Sequence, residues 1–131
     1  MTTMATVLAV VAGGAMGAPL RYLVDRSVTD RVARRSAGAS GAVMFPWGLL
    51  VVNVLGSLIA GIVLATTSGD LRVLLLVGFC GAFTTFSGFA WETDRLWPEA
   101  RRVFWLAVVV MPVACVAAFL AAWRTAAILF A

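Results

Sequence analysis

Three hydroxyls and one amide are the side chains of this sequence best placed to do chemistry. Thr84, Thr85 and Ser87 lie in the stretch Gly78–Glu92, GFCGAFTTFSGFAWE, interleaved with phenylalanines where a membrane-type segment would carry plain aliphatics. Asn53 lies in an earlier apolar run and is followed by Gly56, Ser57 and Gly61. Such groups hold and orient by hydrogen bonding. In hydrocarbon every backbone polar group must be satisfied internally, so a helix breaks there only where protein or a cavity compensates. Gly78 and Gly81 loosen the helix, and the three hydroxyls can stand in for lost backbone bonds. The same residues also suit a small-residue packing face with hydroxyls bonded back to their own helix. Asn53 reads either as glue between helices or as a pore residue whose NH2 group donates to a passing anion.

Other chemistries are poorly supplied. The 131 residues include ten Arg and six Asp plus Glu, and neither Lys nor His, so the commonest general base and metal ligand is missing. Cys80 and Cys115 both fall inside apolar runs with no CxxC spacing, which argues for inert thiols rather than a zinc site or a disulfide. With no histidine, no acid pair within the membrane and no activated nucleophile, an enzyme is not expected.

The elements that must position these groups are four apolar stretches, about Met4–Val24, Trp47–Thr67, Leu71–Trp91 and Val103–Trp123. Each is about 21 residues, or ~31 Å as a helix, which matches a bilayer core. Sixty-three per cent of residues are hydrophobic and only 12% charged, about half the charged fraction of a soluble domain. Tyr22, Trp47, Trp91, Trp97, Trp105 and Trp123 mark several of the ends as interfacial aromatics do. The fold class expected is therefore an all-α membrane protein, one four-helix domain over residues 1–131. The opening residues are not expected to be a cleaved signal peptide, because no basic residue precedes the apolar run and Arg21-Tyr22 interrupts directly after it.

Within the first stretch, Gly13 and Gly17 suit close helix packing, while Arg21 suits either snorkelling to the headgroups or an electropositive vestibule for an anion. Beyond it, Val24, Val28 and Val32 recur among Asp25, Arg26, Asp30 and Arg31, which predicts a short helix at the interface. The run Ser36–Ala42, SAGASGA, reads as a flexible link. The short connection around Ser68-Gly69-Asp70 makes the second and third helices antiparallel neighbours. Pro112 is expected to kink the fourth, whose span offers Cys115 as its one weakly polar side chain.

Arginines are unevenly distributed. Arg26, Arg31, Arg34, Arg35, Arg95, Arg101 and Arg102 fall on the side of the first and third connections, against Arg72 and Arg124 on the other. The positive-inside rule makes the richer side cytoplasmic, with both termini outside a bacterial-type inner membrane. The clustering between apolar segments also argues against a nucleic-acid partner.

Three motifs on successive helices carry a resemblance. Gly17-Ala-Pro-Leu-Arg21-Tyr22, Asn53-Val-Leu-Gly56-Ser57 and GAFTTFSGF (Gly81–Phe89) resemble the Fluc/CrcB fluoride channels, in order and across all four helices. The resemblance implies an antiparallel dimer of four-helix subunits with a break in the third helix. Such a dimer exports fluoride passively through two narrow pores and so lowers its cytoplasmic concentration. It also implies a structural sodium ion on the dimer axis, held by backbone carbonyls at positions matching Gly81 and Thr84. The fluoride pathway would include Asn53, Phe86, Ser87 and Phe89, with Thr85 contributing to the break and Glu92 near one pore end. Neutral donors such as the Asn53 amide and the Ser87 hydroxyl can replace fluoride's water without trapping the ion. Phe86 and Phe89, three apart on one helix face, have positive ring edges to offer an anion, or else are simply core or lipid-facing bulk.

Two departures stand out. Gly88 replaces the hydroxyl residue that commonly follows the serine, and the fourth helix offers Cys115 where the family carries Ser or Thr. Together with the arginine bias, they suggest one non-conducting or half-active subunit of a heterodimeric channel. A small coupled multidrug exporter is disfavoured, since such pumps need a mid-membrane carboxylate. A non-transporting scaffold remains as a third class.

Overall fold

The structure, a computed structural model, describes residues 3–36 and 44–130. Its elements are helices α1 (Thr3–Arg35), α2 (Trp47–Thr66) and α3 (Gly69–Arg72), a π-helical segment (Val73–Cys80), then α4 (Gly81–Phe83), α5 (Phe86–Glu99) and α6 (Arg101–Leu129). Four helical runs are long and apolar enough to cross a membrane: α1, α2, the run Gly69–Glu99, and α6.

The expected interfacial helix around Val24–Val32 is not a separate element. α1 continues unbroken for 33 residues, ~50 Å, well beyond a bilayer core. No glycine or proline lies between Leu20 and Ser36, so nothing in the local sequence stops the helix once it has left the apolar region. Pro19 sits inside it without ending it. Most of the predicted link lies outside the described residues, which resume at Met44.

α2 and the third run are joined by a turn at Thr67-Ser68, and Gly69 supplies the single positive φ of the described residues, +60°, where a side chain would be strained. Arg72 closes the end of α2: its Nε donates to Thr67 O at 2.7 Å, and its Nη2 donates to Thr67 O and, at 3.2 Å, to Leu64 O. Leu64 O in the last turn of α2 and Thr67 O at its C-cap, which lack helical donors, are thereby satisfied.

The third run changes partner along its length. Its first part, through Phe83, packs on α1; its second part, α5, packs on α6, while α2 lies between α1 and α6. The first contact depends on small residues. Gly13 and Gly17 are buried, and a Cβ on Gly13 would overlap Leu74 O and stand 2.6 Å from Phe79 N. The Gly13-xxx-Gly17 pair is thus a packing face. The second contact is an ordinary apolar core of Leu49, Leu96, Ala107 and Met111, with Phe45, Phe89 and Phe104 around it.

Candidate functional site

Between Phe83 and Phe86 the third run has two extended residues: Thr84 at φ −79°, ψ 162° and Thr85 at φ −149°, ψ 117°. Their hydrogen bonds explain how this backbone is held. The Asn53 side chain spans the gap from α2, accepting from Thr85 N–H at 2.8 Å and donating to Thr85 C=O at 3.3 Å. Thr85 then caps α5, its hydroxyl accepting from Gly88 N–H at 3.1 Å. Thr84 closes the preceding turn, with both its N–H and its hydroxyl donating to Cys80 O at 2.9 Å.

This pattern has a consequence for two carbonyls. In a continuing α-helix Thr85 N–H would bond to Gly81 O, and Gly88 N–H to Thr84 O. Here the first is given to Asn53 and the second to the Thr85 hydroxyl. Gly81 and Thr84 therefore lose their helical donors together. Both line a cavity of ≈410 Å³ with Ser57, Cys80 and Cys115.

On the other side of the extended pair, Ser87 Oγ lies 3.1 Å from Thr85 Oγ1. Either hydroxyl can be the donor of this pair; with Thr85 accepting from Gly88 and donating to Ser87, Ser87 keeps its own hydrogen for a further acceptor. Thr85 and Ser87 line a larger cavity, ≈1020 Å³, that is bounded by α1, the start of α2 and α5. Its remaining lining includes Arg21, Asp25, Glu92, Arg95 and Glu99. The chain from Gly88 N–H through Thr85 to Ser87 thus ends in a hydroxyl at the wall of a cavity ringed by charges of both signs.

The structure brings Asn53, Thr85 and Ser87 into one network, and places Arg21 and Glu92, both half-buried, on the same larger cavity. Gly81 and Thr84 face the smaller one. Asn53, Phe86 and Phe89 line neither. The two ring centroids are 5.8 Å apart, but Phe86 is 80% exposed whereas Phe89 is half-buried against the Leu49–Leu96 core. Gly88 has a packing reason: a Cβ there would stand 2.9 Å from Thr85 Cγ2 and 3.2 Å from Leu49 Cδ1, crowding the residue that caps α5. Gly56 similarly leaves room for the Thr84 methyl group.

Asp25 is the cavity residue that motif reading passes over. It follows Arg21 by four positions, and Thr29 follows it by four more, so a polar stripe at helical spacing was present in the sequence beside the valine stripe.

The fold and site define a multi-pass membrane protein with a largely apolar cavity that carries charges of both signs and reaches a hydroxyl pair at mid-chain. A family model described as "CrcB-like protein, Camphor Resistance (CrcB)" matches residues 8–125, and the chain belongs to that family. Among its relatives is a protein of Nocardia farcinica named "Fluoride-specific ion channel FluC 1", 42% identical over 80% of this chain and 68% of that one. A Rhodospirillum rubrum relative named "Fluoride-specific ion channel FluC" is 39% identical over 82% and 83% of the two chains. The Streptomyces avermitilis "Fluoride-specific ion channel FluC 1" is 38% identical over 88% and 92%. These relatives are named as ion channels, and the chain is not an enzyme.

Proposed function

We propose that the chain is a subunit of a fluoride channel that exports the ion passively and lowers its cytoplasmic concentration. The observation that carries the reading is the relay Gly88 N–H, Thr85 hydroxyl, Ser87 hydroxyl at the wall of the larger cavity. A small, strongly hydrated anion gives up water only for compensating donors, and neutral ones bind it weakly enough to let it go. Ser87 supplies one such donor. Asn53 Nδ2 carries two hydrogens and uses one on Thr85 O; by family resemblance the second donates to the anion, although Asn53 lines neither cavity of the single chain. Arg21 adds a positive charge on the same cavity, and Glu92 a negative one that limits how long an anion stays.

The pathway reading extends to the two phenylalanines by family resemblance. The exposed Phe86 ring, on a face open to lipid or to a second chain, suits an edge-on anion contact in an assembly of two subunits of opposite orientation. Two pores per antiparallel dimer follow from that symmetry. The residues present also fit a structural sodium ion: the Gly81 and Thr84 carbonyls, without helical donors, are hard oxygen groups suited to a cation. Bound there, the ion would offset the cost of leaving them unpaired. A subunit with its arginine-rich side facing the cytoplasm has both termini outside, and an oppositely oriented subunit has them inside.

A second reading, half of a heterodimer, draws on Gly88, Cys115 and the arginine bias. Expression in bacteria hypersensitive to fluoride separates the two. Restored growth from this chain alone, lost with Phe86→Ile, supports the self-sufficient channel. Growth restored only with an oppositely oriented relative supports the heterodimer. No rescue in either case by well-expressed protein overturns both.

A further inference from the structure

The extension of α1 beyond the membrane carries four of the ten arginines, none of which lines the larger cavity. At ~100° per residue, Arg26, Arg31, Arg34 and Arg35 fall on one half of the helix circumference, and Asp25, Thr29, Val32 and Ala33, which line the larger cavity, on the other. The arginine half continues the stripe that Met16, Leu20 and Leu23 expose lower on the same helix, an apolar surface uncovered in the single chain and of the kind that lipid covers. The basic stripe therefore rises directly above that apolar one.

Direction matters as much as placement. α1 leaves the membrane C-terminus first, and helical side chains lean toward the N-terminus of their own helix. The arginines thus lean back toward the bilayer rather than into solvent. Arg31 is ~12 Å along the axis from Leu23, a distance that a snorkelling arginine spans in part. Among the described residues the one ion pair on this stripe is Arg26 with Asp30, at 3.8 Å, and residues 37–43 contain no acid. A second feature marks the headgroup level at this end of the bundle. Trp97, Phe104 and Trp105 form a cluster with ring centroids 4.9–6.4 Å apart, and the Arg101 guanidinium sits 4.7 Å above the Trp97 ring.

We propose that Arg31, Arg34 and Arg35 on the lipid-side face of α1 bind the phosphodiester headgroups of anionic phospholipid. Arginine positions in the last turn also complement the helix dipole, but that role is indifferent to lipid class. The test is quenching of intrinsic Trp fluorescence in vesicles by brominated phosphatidylglycerol against brominated phosphatidylcholine. The wild type should prefer the anionic lipid, by up to about fivefold for each arginine engaged. The triple variant Arg31→Gln/Arg34→Gln/Arg35→Gln should lose that preference, and Arg124→Gln at the other end should keep it. If the triple variant fails to fold, salt on the wild type decides: the preference should collapse at ~1 M, where the Debye length is ~3 Å. Equal quenching by both lipids, an unchanged preference in the triple variant or at high salt, or equal loss in Arg124→Gln overturns the proposal. So does displacement of the anionic lipid by inorganic phosphate at constant ionic strength, which would make the stripe a site for free phosphate.

Discussion

Replacing Asn53 by leucine tests the network on which the site depends. Leucine has the same branched outline and is somewhat larger, so the change removes hydrogen bonds without opening a cavity. Two bonds are lost: Thr85 N–H to Oδ1 at 2.8 Å and Nδ2 to Thr85 O at 3.3 Å. Side-chain hydrogen bonds inside membrane proteins average ~0.6 kcal/mol and reach ~1.7 kcal/mol. The shorter bond should lie toward the upper value and the longer near the mean, for a total of about 2 kcal/mol. Thr85 N–H can recover part of this by turning to Gly81 O, the bond a continuous helix would make, so a loss of about 1–2 kcal/mol is expected. Reversible unfolding by SDS in mixed micelles, followed by helical circular dichroism, reads this directly. A change below ~0.3 kcal/mol, or a gain, would mean that Asn53 does not hold Thr85 and that the extended pair has another support.

Three further substitutions probe the frame around that network. Gly13→Ala drives a methyl group into Leu74 O and the Phe79 peptide, and should cost 1–3 kcal/mol or more in the same unfolding assay; a neutral result would deny the close α1 contact. Gly88→Ser, which adds back a hydroxyl, should nonetheless destabilise by about 0.5–1.5 kcal/mol by crowding Thr85 and Leu49, and trimming Leu49 to Val should recover part of the loss. Arg72→Gln removes the donors to Thr67 O and Leu64 O; at a half-buried site about 1–2 kcal/mol is expected, with faster amide exchange confined to the end of α2.

The four spans were legible because length and hydropathy alone specify them. The length of α1 was not, since the polar residues after Val24 suggest a new element, although the absence of any helix breaker before Ser36 argued for continuity. The stretch around Thr84, Thr85 and Ser87 was marked by residue type, but the use of each hydroxyl was not. Thr84 bonds back to its own turn, Thr85 caps the next helix, and Ser87 is left at the cavity wall. The bridge from Asn53 joins positions 32 apart, which no local pattern reveals. It also gives the two readings of Asn53 a common ground, because one amide can hold Thr85 and keep a donor to spare. The π-helical turns of Val73–Cys80 leave no trace in the aliphatic run VLLLVGFC. Gly88, conspicuous as a missing hydroxyl, becomes intelligible only with Leu49 and Thr85 placed against it.

The measurement that bears most directly on the proposed channel is ion efflux from liposomes containing this chain and no other protein, followed with fluoride- and chloride-selective electrodes. Fluoride should leave rapidly while chloride is retained, and Phe86→Ile should abolish the fluoride signal. Chloride leaving as fast as fluoride, or no fluoride release from folded protein even with an oppositely oriented relative present, would contradict the account.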